Sequence, residues 1–245
     1  GGTTWSSGTK LTASDGAADD NFGYSVAISG NFAIIGSATD DIGANGDQGS
    51  AYIFVRNGTV WEEEQKIVAW DGDSNDFFGW SVGISGTRVI IGAPNDEIDN
   101  NLAQGSSYVF ERTSGGSTWN PVTKLRLSSV LGATADYLGV SVGISGNTVI
   151  VGSYGTDVGT NNDQGEAVIW TISGTTVSAP QRLRASDGNT GDSFGFNVAI
   201  SGDTVVIGSP QSDVSNIRNA GATYIFKRIG GVFAQDQKLT VSDGQ

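Results

Sequence analysis

The residues in this chain with chemistry to offer are acids. Asp20 with Asp41, Asp76 with Glu97, Asp136 with Asp157, and Asp192 with Asp213 form repeat-equivalent pairs in matching polar loops. Calcium takes six to eight oxygen ligands from carboxylates, amides and carbonyls, and the same loops supply Asn45, Asn101, Asn161 and Asn162. Each pair is therefore a candidate calcium site, and calcium is the one cofactor expected. A plainer role is equally open, since an aspartate in such a loop caps a turn by accepting backbone N–H bonds. A second candidate is Trp70 with Asp71 and Asp73, where an indole beside carboxylates could seat a sugar.

Other chemistry is excluded by composition. Histidine and cysteine are both absent, which removes the usual zinc ligands, the commonest general base near neutral pH and any thiolate nucleophile. Paired carboxylates could serve a glycosidase, but nothing singles out two acids among so many, so no enzyme is expected. Twenty-six acids against 13 bases give a net charge of −13, which disfavours nucleic acid and anionic membranes and favours cations or cationic surfaces as partners. No apolar run approaches the roughly 20 residues needed to span a bilayer, so membrane insertion is not expected. The chain starts at a glycine and holds no methionine, and the expectation is a processed or excised segment.

The elements that must position these acids are repeated strands. Thirty-seven glycines, four prolines and many Val, Ile, Thr and aromatic residues describe a turn-rich all-β chain. Phe78-Gly79 through Ser85-Gly86 and on to Gly92-Ala93-Pro94 reads as two strands joined by a tight turn, with copies at 22–38, 138–154 and 194–210. The copies begin at 22, 78, 138 and 194. Each is followed by a polar loop and a third strand opening at Gly49, Gly105, Gly165 or Gly221, and by a fourth strand carrying Trp61, Trp119, Val177 or Phe233. Four-stranded antiparallel units at such a period fit the blades of a β-propeller. A linear β-solenoid is the competing arrangement, though its coils are usually shorter and parallel. The expected repeats run about 14–69, 70–127, 128–185 and 186–241 within a single domain spanning 1–245, with 1–13 as an additional outer strand carrying Trp5.

Phe78-Gly79 followed by Gly92-Ala93-Pro94 resembles the name-giving pattern of FG-GAP repeats, the units of the integrin α-subunit-like β-propeller. Phe22-Gly23 with Gly36-Ser37-Ala38, Leu138-Gly139 with Gly152-Ser153-Tyr154, and Phe194-Gly195 with Gly208-Ser209-Pro210 are looser copies. The resemblance implies an extracellular, secreted or cell-surface module for binding, adhesion or assembly. It departs from the family in two ways. Calcium-binding members carry an Asp-rich loop between the first and second strands, where this chain has only Ser-Gly, so that calcium cage is not carried over. Integrin-like rings have seven blades, and this chain holds four.

In a four-stranded up-and-down blade the loop leading into the first strand and the loop joining the second to the third emerge at the same end. That sorting sends nineteen of the acids, Asp243 among them, to one rim with a single base, Arg218. The expected function is a non-enzymatic module with an acidic, calcium-capable loop face that meets a protein or glycan ligand or other copies of itself. The alternatives are a lectin propeller and a structural subunit that polymerises through its spare outer strand.

Overall fold

The computed structural model describes residues 8–128 and 131–241. It holds four antiparallel sheets in chain order. The first contains β1 (Phe22–Ser29), β2 (Phe32–Ser37), β3 (Ser50–Asn57) and β4 (Val60–Ile67). The second contains β5 (Ser81–Ser85), β6 (Arg88–Ala93), β7 (Ser106–Arg112) and β8 (Trp119–Leu125). The third runs β9 (Val142–Ser145), β10 (Thr148–Ser153) and β11 (Glu166–Ser173), with its outer strand split into β12 (Thr176–Val177) and β13 (Gln181–Leu183). The fourth contains β14 (Asn197–Ser201), β15 (Thr204–Ser209), β16 (Ala222–Ile229) and β17 (Val232–Leu239). Each sheet is a blade whose strands pair in sequence order. No helix among the described residues is long and apolar enough to cross a membrane.

The split outer strand has a simple cause. In the other blades the third and fourth strands carry a β-bulge, between Ile53 and Phe54, Val109 and Phe110, and Ile225 and Phe226. The extra residue of the bulge is Glu64, Val122 or Asp236, and in the third blade that place belongs to Pro180. Proline has no N–H to give the ladder and is confined to such irregular positions, so pairing stops at Val177 and resumes at Gln181.

Neighbouring blades are joined through their inner strands. Ile34 shares a buried cluster with Val82 and Ile84, Ile90 packs with Val142 and Ile144, and Ile150 with Val198 and Ile200. The Ser-Gly turns add a polar link, because the Gly86, Gly146 and Gly202 N–H groups donate to the Ser29, Ser85 and Ser145 hydroxyls of the blade before, each at 3.0 Å. At the three joints the glycine of the Phe-Gly or Leu-Gly pair is demanded twice over. Gly79 has φ +95°, and a Cβ there would collide with the Ser50 carbonyl. Its own carbonyl accepts from the Ser25 hydroxyl at 2.7 Å and lies against Gly36, where a Cβ would strike it. The Gly139 carbonyl repeats this with Ser81 and Gly92, and the Gly195 carbonyl lies against Gly152.

The additional outer strand expected at 1–13 is not seen where the chain is described: residues 8–13 form no strand, and residues 1–7, Trp5 among them, lie outside the described residues. Leu11 and Ala13 instead pack on Phe22, Tyr52 and Phe54 of the first blade. They sit there as Ile67 and Ala69 sit on Phe78, Tyr108 and Phe110 of the second. Hydrophobic burial at that spot needs two apolar side chains and no strand partner.

Candidate functional site

The loops that carry the acids are bound to one another across blades. The Phe78, Leu138 and Phe194 N–H groups each donate to a carbonyl of the preceding blade, Gln48, Gln104 or Gln164, at 2.9 Å. One turn earlier, Asn75 donates to Gly46 and Ala135 to Leu102, both at 2.9 Å, and Gly191 to Asn162 at 2.8 Å. The lead-in loops of the second, third and fourth blades are therefore each welded to the loop joining the second and third strands of the blade before.

Within this framework seven of the eight paired acids turn inward on their own loops. The Asp20 carboxylate accepts the Ala17 N–H at 2.5 Å, Asp76 that of Asp73 at 2.7 Å, Asp136 that of Ala133 at 2.6 Å, and Asp192 that of Asn189 at 2.8 Å. All four are buried. On the other loop Asp41 accepts from Asp47 and Asp157 from Asp163, both at 2.9 Å, and Asp213 accepts from Asn219 at 2.8 Å. Glu97 is exposed. Among the described residues no three metal-capable side chains converge on one point; Asp243 lies outside them.

Burial has an electrostatic consequence. Losing water raises Asp76 to about 6, and the charge of nearby Asp96 adds to the rise. Asp136 also rises to about 6, through burial and then the charge of Glu166. A folded-state value above the unfolded one means the folded protein binds more protons between the two. The stability these groups contribute is full below about pH 3.9, the unfolded value, and is lost as pH rises through about 6. Asp76→Asn keeps an oxygen acceptor for Asp73 without the charge, so it is expected to stabilise the protein by about 1–3 kcal/mol at pH 7.5. The gain should vanish at pH 4. Denaturant titrations at both values check this, and an equal effect at the two would refute it.

Sequence reading missed a second constellation. In the first blade Lys66 lies 2.7 Å from both Asp15 and Asp40. The Tyr52 hydroxyl donates to Asp15 at 2.8 Å, and the Ser50 hydroxyl to Asp40 at 2.5 Å. The second blade repeats it with Lys124, Asp71, Asp96, Tyr108 and Ser106, and the fourth with Lys238, Asp187 and Tyr224. Burial pushes Tyr52 up to about 12. The Lys66 hydrogen bond holds Asp15 below the usual carboxylate range; in the fourth blade burial opposes, but Lys238 and Tyr224 hold Asp187 below it too. The third blade rebuilds the place with other residues. There Glu166, fully buried, sits 2.5 Å from the Arg182 guanidinium and 3.0 Å from that of Arg184. The signal was present in the sequence as a fixed separation of 37 residues between Asp15 and Tyr52, Asp71 and Tyr108, and Asp187 and Tyr224.

The sugar-platform residues divide between these roles. Asp71 belongs to the lysine network, and Asp73 is exposed at its loop. Trp70 is 49% exposed and stands edge-on to Tyr108 and Phe110, at centroid distances of 4.9 and 5.7 Å. Asp71, Asp73, Asp76, Asp96, Glu97 and Asp99 line one open groove of about 710 Å³, in which Lys124 is the single base.

The FG-GAP repeat family matches residues 5–54, 61–110, 119–169 and 178–226, and comparison with curated proteins gave no match. The contact of the Gly79, Gly139 and Gly195 carbonyls with the preceding blade's strand-two glycine gives those name-giving residues their physical purpose. Four matches, each ending in the third strand of one sheet and together covering most of the chain, show that this chain belongs to the FG-GAP repeat family.

Proposed function

We propose that the chain is an extracellular, non-enzymatic binding or adhesion module whose acidic loop rim meets a cationic protein surface. The observation that carries this reading is the weld between successive loops, which holds Asp73, Glu97 and Asp99 around one groove with their backbone already fixed. Fixed like charges on a concave surface raise the local concentration of cations and steer basic partners. The lysine networks hold the groove walls, and the outward acids are left for a partner. The family to which the chain belongs is consistent with binding in place of catalysis.

Calcium does not fit this rim well as a resident ion. Lys124 already lies between Asp71 and Asp96, and the remaining carboxylates of the groove do not converge. Millimolar calcium is expected to leave the melting temperature unchanged. A rise of more than about 3 °C, which mass action gives once calcium stands several-fold above its dissociation constant, would assign the rim a metal.

The direct test is calorimetric titration with a Lys/Arg-rich peptide. Affinity should fall at least about tenfold between 50 and 300 mM salt, and a comparable loss is expected for the Asp73→Asn, Glu97→Gln double variant. Binding indifferent to both would end this reading. Half-exposed Trp70 beside Asp73 favours a second one, a glycan ligand. Sugar binding lost in Trp70→Ala would move the assignment there.

A further inference from the structure

The three joints between blades are built from the same parts, and the two ends of the described chain carry one unpaired half each. On the first blade, Val26 is 69% and Ile28 67% exposed, whereas their counterparts Val82 and Ile84 are buried against Ile34. On the fourth blade, Val206 is 37% exposed, whereas its counterparts Ile34, Ile90 and Ile150 are fully buried. The glycines show the same vacancy. A Cβ on Gly36, Gly92 or Gly152 would run into the next blade's backbone, but one on Gly208 would meet nothing closer than the Asn197 Cβ of its own blade, at 3.6 Å. A Cβ on Gly23 would meet nothing within 4 Å, although Gly79, Gly139 and Gly195 are all enclosed. Around Gly208 the fourth blade presents an open groove of about 550 Å³, lined in part by Asn197, Ser209, Gly221 and Leu239.

We infer that two copies of this chain join head to tail, with the Phe22–Ser29 face of one seated on the Val206–Gly208 face of the other. The occupant is fixed by the three internal joints, which spell out what this groove holds. It takes a Phe-Gly carbonyl against the strand-two glycine and a Val-x-Ile strand against the branched residue two places earlier. The first blade presents both, in the same order and spacing, and its own fourth blade does not cover them. Val26 and Ile28 of one copy bury against Val206 of the other, the Gly23 carbonyl meets Gly208, and the Gly30 N–H finds the Ser201 hydroxyl. This is a face-to-face contact between blades and requires no spare outer strand. It is heterologous, so a second such joint between the same two chains closes a ring, and a joint that does not close extends the array.

One contact is contested. Leu239 and Val241 hold the places in the fourth blade that Ile67 and Ala69 hold in the first, and at an internal joint those two residues pack on the next blade's aromatic cluster. On the first blade that cluster is already covered by Leu11 and Ala13 of the same chain. In the joint the tail of one copy competes with the leading segment of the other, so the leading segment weakens association.

Sedimentation velocity on the full chain from 5 to 200 µM provides the test. The wild-type chain should show species at twice the 25.3 kDa chain mass or above, growing with concentration. Gly208→Val, which the isolated chain accommodates, should melt as wild type does and associate at least about tenfold more weakly. Leu11→Ser should associate at least about threefold more tightly, because it loosens the competing segment. A wild-type chain monomeric at 200 µM, or a Gly208→Val variant that associates like wild type, would overturn the joint. A Leu11→Ser variant with weakened association would overturn the placement of the tail.

Discussion

Gly92→Val is expected to unfold the protein or to cost at least about 4 kcal/mol, a large share of the 5–15 kcal/mol that holds a typical domain. Even the first added carbon would strike the Gly139 carbonyl and the Ser81 hydroxyl, which are themselves hydrogen-bonded at 2.7 Å. A flexible side chain could swing aside, but a carbonyl fixed by its own sheet cannot, so the relief must come from parting the second and third blades. That movement would uncover Ile90, Val142 and Ile144, and exposing such side chains costs about 1.5–3 kcal/mol each. Gly208→Val is the internal control, since it makes the same change at the same motif position where no following blade presses. Urea unfolding of the two variants compares them directly. A wild-type midpoint for Gly92→Val would show that the Phe-Gly contact does not hold the blades together.

Arg182→Ala is the second large effect, with an expected loss of about 3–5 kcal/mol at neutral pH. Glu166 is sealed from solvent at the joint between the third strand and its outer neighbour. Its charge is matched by Arg182, which reaches both carboxylate oxygens, at 2.6 Å through Nε and 2.5 Å through Nη2, and by the Arg184 Nε at 3.0 Å. Removing Arg182 leaves a buried carboxylate with one partly exposed partner. Arg182→Lys should recover little, because one ammonium cannot keep the guanidinium's contacts with both Glu166 oxygens and with the Leu131 carbonyl. Glu166→Ala combined with Arg182→Ala should restore part of the loss, since deleting both partners removes the uncompensated charge. Thermal melts of the three variants check the order, and a double variant worse than Arg182→Ala would contradict a charge-pairing origin.

The fold was legible because its constraints are periodic. The Phe-Gly and strand-two glycines come at fixed offsets, and at the three internal joints each is enclosed by the neighbouring blade so closely that a Cβ has no room, which leaves a period that can be read in a single sequence. The third blade's broken outer strand could also have been read from Pro180, once the bulge in its sister strands was known. The buried networks were harder to see. Lys66, Tyr52, Asp15 and Asp40 come from two strands and two loops, and only the register between separate strands shows that they meet. The eight loop acids were visible, but their roles were not. At one and the same repeat position Asp41, Asp157 and Asp213 turn inward to cap their own loops, whereas Glu97 is exposed.

The hydroxyl-to-amide links from Ser29 to Gly86, Ser85 to Gly146 and Ser145 to Gly202 tie each blade only to its nearest neighbours. Stability in such an array is shared along a line, so the two middle blades draw support from both sides and the outer pair from one. Thermal opening should therefore begin as fraying at the first and fourth blades while the centre stays shut. Amide protons at Ile90 and Ile150 would then be the last to trade with solvent.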